Sequence, residues 1–122
     1  MNPSRFDQKD SFVAALHLMC TDVHATNVEH GFFEGTNPKN HNEIGHRLLL
    51  VTTEVAECFE GIRKGLGNDE HCPEFSNEEI EIADAMIRLM DYASWRGLRL
   101  GRAIVAKARF NEGRPYKHGK KF

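Results

Sequence analysis

The chain has four prolines, three cysteines, one tryptophan and no long apolar run in its 122 residues. Each scarcity excludes something. No window approaches the roughly 18 to 20 consecutive apolar residues of a membrane-spanning helix, so no spanning segment is expected. Residues Met1 to Asp10 lack the charged-then-apolar layout of a secretion signal, and the expected location is the cytoplasm. Cys20, Cys58 and Cys72 are odd in number, widely spaced and form no C-x-x-C pair, which argues against a disulfide framework or a zinc knuckle and leaves them as packing residues. Neither disorder nor a fibrous repeat fits 40% apolar and 28% charged residues, so residues 1–122 read as one globular domain. A chain this short buries a modest share of its surface, which predicts at least a dimer.

A net charge of −2 conceals an asymmetry along the chain. Residues 1–95 carry 7 Lys/Arg against 17 Asp/Glu, whereas residues 96–122 carry 9 Lys/Arg against Glu112 alone. One reading is an acidic domain with a solvated basic tail. The other has the acids holding a cation while the basic end grips an anion. Duplex nucleic acid is not the expected anion, because the acidic body would repel it.

Between the prolines, apolar residues recur at helical spacing and nowhere alternate over a strand-like run. The prediction is an all-α protein, a compact antiparallel bundle of about four helices. A first helix runs from Asp10 or Ser11 to about His30, with Val13, Leu16, Cys20, Val23 and Asn27 along one side. Residues 31–42 are rich in Gly, Asn and Pro and form a loop. A second helix covers about Glu43 to Lys64, and residues 68–75 form another loop. A third begins at Ser76 or Asn77, with Glu78, Glu79 and Glu81 near its positive end, and reaches about Trp95. A fourth spans Gly101 or Arg102 to Glu112, followed by a basic tail over 113–122.

On the second helix Ile44, Leu48, Val51, Val55, Phe59 and Ile62 share a narrow arc and are expected to be core. Glu54 and Glu57 lie elsewhere on its circumference, one turn apart at i and i+3. The third helix repeats the pattern with a stripe of Glu81, Asp84, Arg88 and Asp91. Most of its remaining circumference is apolar, including Ile80, Ile82, Met86, Ile87, Leu89 and Met90, so it is expected to be largely enclosed. Four carboxylates converging from two antiparallel helices repel one another unless a cation intervenes. Mg²⁺ suits that place, because it takes oxygen ligands and uses a few carboxylates together with substrate phosphates; Mn²⁺ is the close substitute. The competing reading pairs these acids with Arg47, Arg63, Lys64 and Arg88 on solvated faces.

The run Glu54-Val55-Ala56-Glu57, followed after 23 residues by Glu81-Ile82-Ala83-Asp84, resembles the E-x-x-E and E-x-x-D signature of the MazG-like, all-α nucleoside triphosphate pyrophosphohydrolases. The segment Lys107 to Tyr116 resembles the K-x-x-x-N-x-x-R region of that superfamily through Lys107, Asn111 and Arg114. Gly31-Phe32-Phe33 resembles its aromatic step after the first helix. The positions directly before the two motifs, Glu in many members, are here Thr53 and Ile80. The resemblance implies Mg²⁺-dependent hydrolysis of a nucleoside triphosphate, a deoxy or non-canonical one, to a monophosphate and pyrophosphate. Glu54, Glu57, Glu81 and Asp84 then hold the metal, Glu57 is the general base, and Lys107, Asn111 and Arg114 contact phosphates. It also implies a homodimer or homotetramer. Alternatives are a deoxyuridine or deoxycytidine triphosphatase of the all-α type, and a regulatory protein that binds metal and nucleotide without turnover.

Phe33 and its neighbour Phe32 are offered either to a nucleobase or to packing. The seven histidines show no H-x-x-x-H or E-x-x-H pair on the acidic helices, so zincin and di-iron patterns fail, although His24 and His46 are placed to approach a base pocket. Met19, Met86 and Met90 are expected in the core.

Overall fold

Capping side chains start two of the helices, and glycines with left-handed backbone follow three of them. In the computed structural model, which describes residues 2–122, four helices form: α1 (Asp10–Glu29), α2 (His41–Arg63), α3 (Asn77–Trp95) and α4 (Leu100–Glu112). α2 starts two residues before the expected Glu43 because Asn40 accepts from the amides of Asn42 and Glu43. α3 starts where expected, at a capping box in which Ser76 and Glu79 satisfy each other's amides. Gly31, Gly65 and Gly97 follow α1, α2 and α3 at φ of +85°, +66° and +67°, a conformation that costs a side chain but not glycine. A short 3₁₀ turn, Tyr116–Gly119, lies in the basic tail.

No strand forms among the described residues; the one bridge joins Asn68 to Ser76 across the loop between α2 and α3. None of the helices described is long and apolar enough to cross a membrane. The expectation of an all-helical chain with four packed helices therefore holds.

α2 and α3 run antiparallel: Glu54 meets Arg88 and Cys58 Sγ reaches the Glu78 carbonyl, so numbering rises on one helix as it falls on the other. α1 packs on α3, and α4 packs on α1. The expected inner side of α1 is turned inward, with Cys20 buried and Val13, Leu16, Val23 and Asn27 half-buried. α4 crosses α1 at Gly101, where a β-carbon would lie 3.3 Å from the Val13 backbone, so the helices touch at a place where a side chain would crowd the α1 backbone. At the other end of α4 the segment before α1 is tied to it: Glu112 binds Ser4 and Arg5, and Arg109 pairs with Asp7 at 3.0 Å.

Two expectations about the core fail. On α2, Leu48, Val55, Phe59 and Ile62 are exposed, because the helix meets α3 through the face of Glu54, Cys58 and Gly61, roughly 100° around from that stripe. α3 is only partly enclosed: α1 and α2 cover two sides, and Ile82, Met86 and Leu89 project from a third. Met19 is also exposed rather than core, whereas Met90 is buried. Among the described residues the buried apolar ones are Cys20, Ala85, Met90 and Ala93.

Candidate metal centre

Where α2 and α3 diverge toward the loop joining them, a cleft of about 640 Å³ opens. Glu54, Glu57, Glu81 and Asp84 line it from the helices, and residues 66–72 form its outer wall. The i, i+3 spacing sends each pair to one side of its helix, and the antiparallel packing turns the two pairs toward each other. One carboxylate oxygen from each of Glu54, Glu57 and Glu81 lies within 4.8 Å of the others. Glu54 is buried, Glu81 and Asp84 are half-buried, and Glu57 is exposed at the mouth.

The charges strain against each other. Partial burial, reinforced by Glu57, Glu54 and Asp84, pushes the Glu81 carboxyl above its usual range despite a bond from Asn77. Burial and Glu54 raise Asp84 in the same direction, opposed by Arg88 and reinforced by Asp69. One cation answers them directly: Arg88 Nε donates to Glu54 Oε1 at 2.6 Å. Part of the competing reading is thus realised at Glu54, since Arg88 is a partner foreseen for these acids. Two of the other three foreseen partners lie elsewhere, Arg63 on Glu60 and Arg47 on aromatic rings.

The donors are all oxygens, three of them within 4.8 Å of one another, the ligand type that Mg²⁺ takes together with its retained waters. A hard divalent ion fits this donor set. His71 and Cys72 also line the cleft from its outer wall.

Asp69 and Asn77 are site residues that the sequence reading did not single out. Asp69 accepts from the amides of His71 and Cys72, which folds the outer wall, and its charge reaches Asp84. The available signal was an aspartate two and three residues ahead of those amides, a spacing that builds Asx turns. Asn77 donates to Glu81 and sits against Gly61, where any β-carbon would overlap its side-chain oxygen.

The residues expected to hold substrate do not line the cleft. Lys107 and Arg114 approach the ring of Phe110, at 4.6 and 5.8 Å, and Asn111 is half-buried on α4, which packs on α1. Phe33 is enclosed in a second cluster. Arg47 covers its ring at 3.8 Å, His24 meets it edge-on at 4.5 Å, and Trp95 stands 5.9 Å away. These contacts are of the packing kind, one of the two roles foreseen for Phe33. Asp91, the last member of the acidic stripe, is turned away from the cleft toward α1. It is buried there, bound by His24 Nδ1 at 2.7 Å and Asn27 at 2.9 Å. Burial pulls the Arg47 guanidinium below its ordinary range, with Asp91 and Glu43 opposing the fall.

No protein-family model, curated protein or solved structure matches the chain.

Proposed function

We propose that the protein is a Mg²⁺-dependent nucleoside triphosphate pyrophosphohydrolase of the MazG-like kind, acting on a deoxy or non-canonical nucleotide in nucleotide-pool house-cleaning. The observation that carries this reading is the meeting of both carboxylate pairs, Glu54/Glu57 and Glu81/Asp84, in one cleft, with oxygens of Glu54, Glu57 and Glu81 within 4.8 Å of one another. A structural role alone gives no benefit from gathering acids whose burial and mutual repulsion push Glu81 and Asp84 above their usual range.

Glu54, Glu57, Glu81 and Asp84 hold the ion, with Mn²⁺ able to replace Mg²⁺. The bound ion supplies charge neutralisation and polarises the attacked phosphorus. Glu57, exposed at the mouth, takes the proton of the attacking water; the new P–O bond forms in line as the bond to pyrophosphate breaks. Glu54, pinned by Arg88, fixes the inner edge of the ligand set. The reading has the chain act as a homodimer or homotetramer in the cytoplasm.

The test is pyrophosphate release from a panel of canonical and modified nucleoside triphosphates, with Mg²⁺ and with chelator, beside Glu57→Ala. Turnover that disappears in both controls supports the reading, and a preference for deoxyuridine or deoxycytidine triphosphate assigns it to that branch. One observation favours a second reading, a regulatory protein that binds metal and nucleotide without turnover: among the described residues no Lys or Arg lines the cleft to receive a triphosphate. Binding of metal and nucleotide with no turnover on any substrate selects that reading.

A further inference from the structure

A triphosphate brings negative charge to a cleft that already holds four carboxylates, so its phosphates need a cation of their own besides the metal. The residues expected to supply one stand elsewhere: Lys107 and Arg114 lie beside the ring of Phe110, and Asn111 is on α4. The basic side chain that does reach the acids is Arg88. It follows Asp84 by four residues, one turn further along the same face of α3 and away from the loop that walls the cleft. Burial and Glu54 push the Asp84 carboxyl up and Arg88 opposes them, so the guanidinium charge is felt there. Its Nε binds Glu54 at 2.6 Å.

A guanidinium carries five N–H donors in a planar fork and commonly meets a carboxylate with two of them. Arg88 uses one. The bond runs through Nε, and among the described residues neither Nη group has a partner. The Glu54 side chain is 10% exposed and that of Arg88 40%, so the unclaimed donors belong to the more open member of the pair. A pair that served only to neutralise Glu54 would gain from a second bond. Left single, it fixes the guanidinium and keeps the remaining donors for another anion.

We propose that Arg88 binds the substrate: its Nη groups take a phosphate of the nucleotide while Nε keeps the fork anchored on Glu54. Arg88 borders the cleft without lining it, so the phosphate it takes lies past Glu54, on the side away from the α2–α3 loop. A fork already anchored loses little freedom on meeting an anion, which suits it to this task better than a mobile lysine. The assignment rests on the reading of the cleft as a metal and nucleotide site, and it holds with or without turnover. A guanidinium that served Glu54 alone would instead support the ligand set, and its loss would weaken metal binding first.

The experiment is two titrations of wild type, Arg88→Met, Arg88→Lys and Arg102→Met. Mn²⁺ alone is followed by the paramagnetic resonance of the free ion, and tripolyphosphate in saturating Mg²⁺ by calorimetry. Arg88→Met is expected to weaken tripolyphosphate about 10- to 100-fold, the worth of charge-assisted bonds to a phosphate, while Mn²⁺ binds at least as tightly as to wild type. Arg88→Lys keeps a cation for Glu54 but has no fork, and is expected to show part of that loss. It retains the pair, so the test survives a methionine variant that fails to fold. Arg102→Met removes an exposed cation from α4 and is expected to change neither titration. Equal weakening of Mn²⁺ and tripolyphosphate in the Arg88 variants overturns the inference, because Arg88 then acts only through Glu54. Unchanged tripolyphosphate binding in both Arg88 variants overturns it as well, and so does an equal loss in Arg102→Met; in these cases the proposed function stands. A wild type that binds neither Mn²⁺ nor tripolyphosphate overturns the proposed function together with this inference.

Discussion

Replacing Arg88 by methionine removes the cation bonded to Glu54 while keeping a side chain of similar reach. The Glu54 side chain is 10% exposed and that of Arg88 40%. Breaking a fully buried pair costs about 3–5 kcal/mol, and an exposed pair is worth less than about 1 kcal/mol. With one partner enclosed and the other half open to screening water, Arg88→Met should cost about 2 kcal/mol in chelator. For a chain of this length that lowers Tm by about 6–10 °C. Most of the cost comes from leaving Glu54 charged, enclosed and beside Glu57 and Glu81. Glu54→Gln removes that charge, and the double variant should therefore recover part of the loss, with a coupling energy of about 1–2 kcal/mol. Urea denaturation of the four proteins at one protomer concentration, in EDTA, measures the cycle. Repeated in Mg²⁺, it should show Arg88→Met regaining more stability than wild type, because an ion then does for Glu54 what the guanidinium did. Additivity of the two substitutions within about 0.3 kcal/mol would refute the reasoning, for it would mean that the 2.6 Å contact carries no energetic weight.

Glu81→Gln should stabilise the metal-free protein by about 0.5–1.5 kcal/mol, since Glu81 is half-buried among like charges, and should abolish most of the thermal shift caused by Mg²⁺; destabilisation in EDTA would count against electrostatic strain in the cleft. The Ser4 hydroxyl, then Arg5, hold the Glu112 carboxyl below its usual range, so the tie between the N-terminal segment and α4 is present above the ordinary carboxylate pKa and is lost as pH falls through the lower folded value. Protection of the amides of residues 4–7, corrected for the intrinsic pH dependence of exchange, should accordingly fall on acidification through that window, and Glu112→Gln should reduce the dependence. Gly101→Leu should cost about 2–4 kcal/mol by wedging α4 away from Val13, read as a lower urea midpoint, and a neutral outcome would show that the α1–α4 crossing is not tight.

Helix number, the loops and most helix ends were legible in the sequence because they rest on local chemistry. Asn40, the Ser76/Glu79 box and the glycines after α1, α2 and α3 act within a few residues of where they stand. The grouping of Glu54 with Glu57, and of Glu81 with Asp84, follows from helical spacing and is equally local. What the spacing could not give was which apolar stripe faces inward. Periodicity shows that Leu48, Val55, Phe59 and Ile62 share a side of α2, but it does not distinguish a side that meets another helix of the same chain from one left open. Only the docking of α2 on α3 through Glu54, Cys58 and Gly61 decided that.

The same docking sorted the acidic stripe of α3, whose four members look alike in sequence. Glu81 and Asp84 face the cleft, Arg88 closes on Glu54, and Asp91, one turn further, meets His24 and Asn27 of α1. Sequence by itself determined an all-helical chain with two carboxylate pairs, because backbone capping and the rotation per residue are properties of neighbours along the chain. Tertiary structure decided which charges meet, which stripe stays exposed and which cations stand away from the acids, because those outcomes depend on helix faces brought together from distant positions.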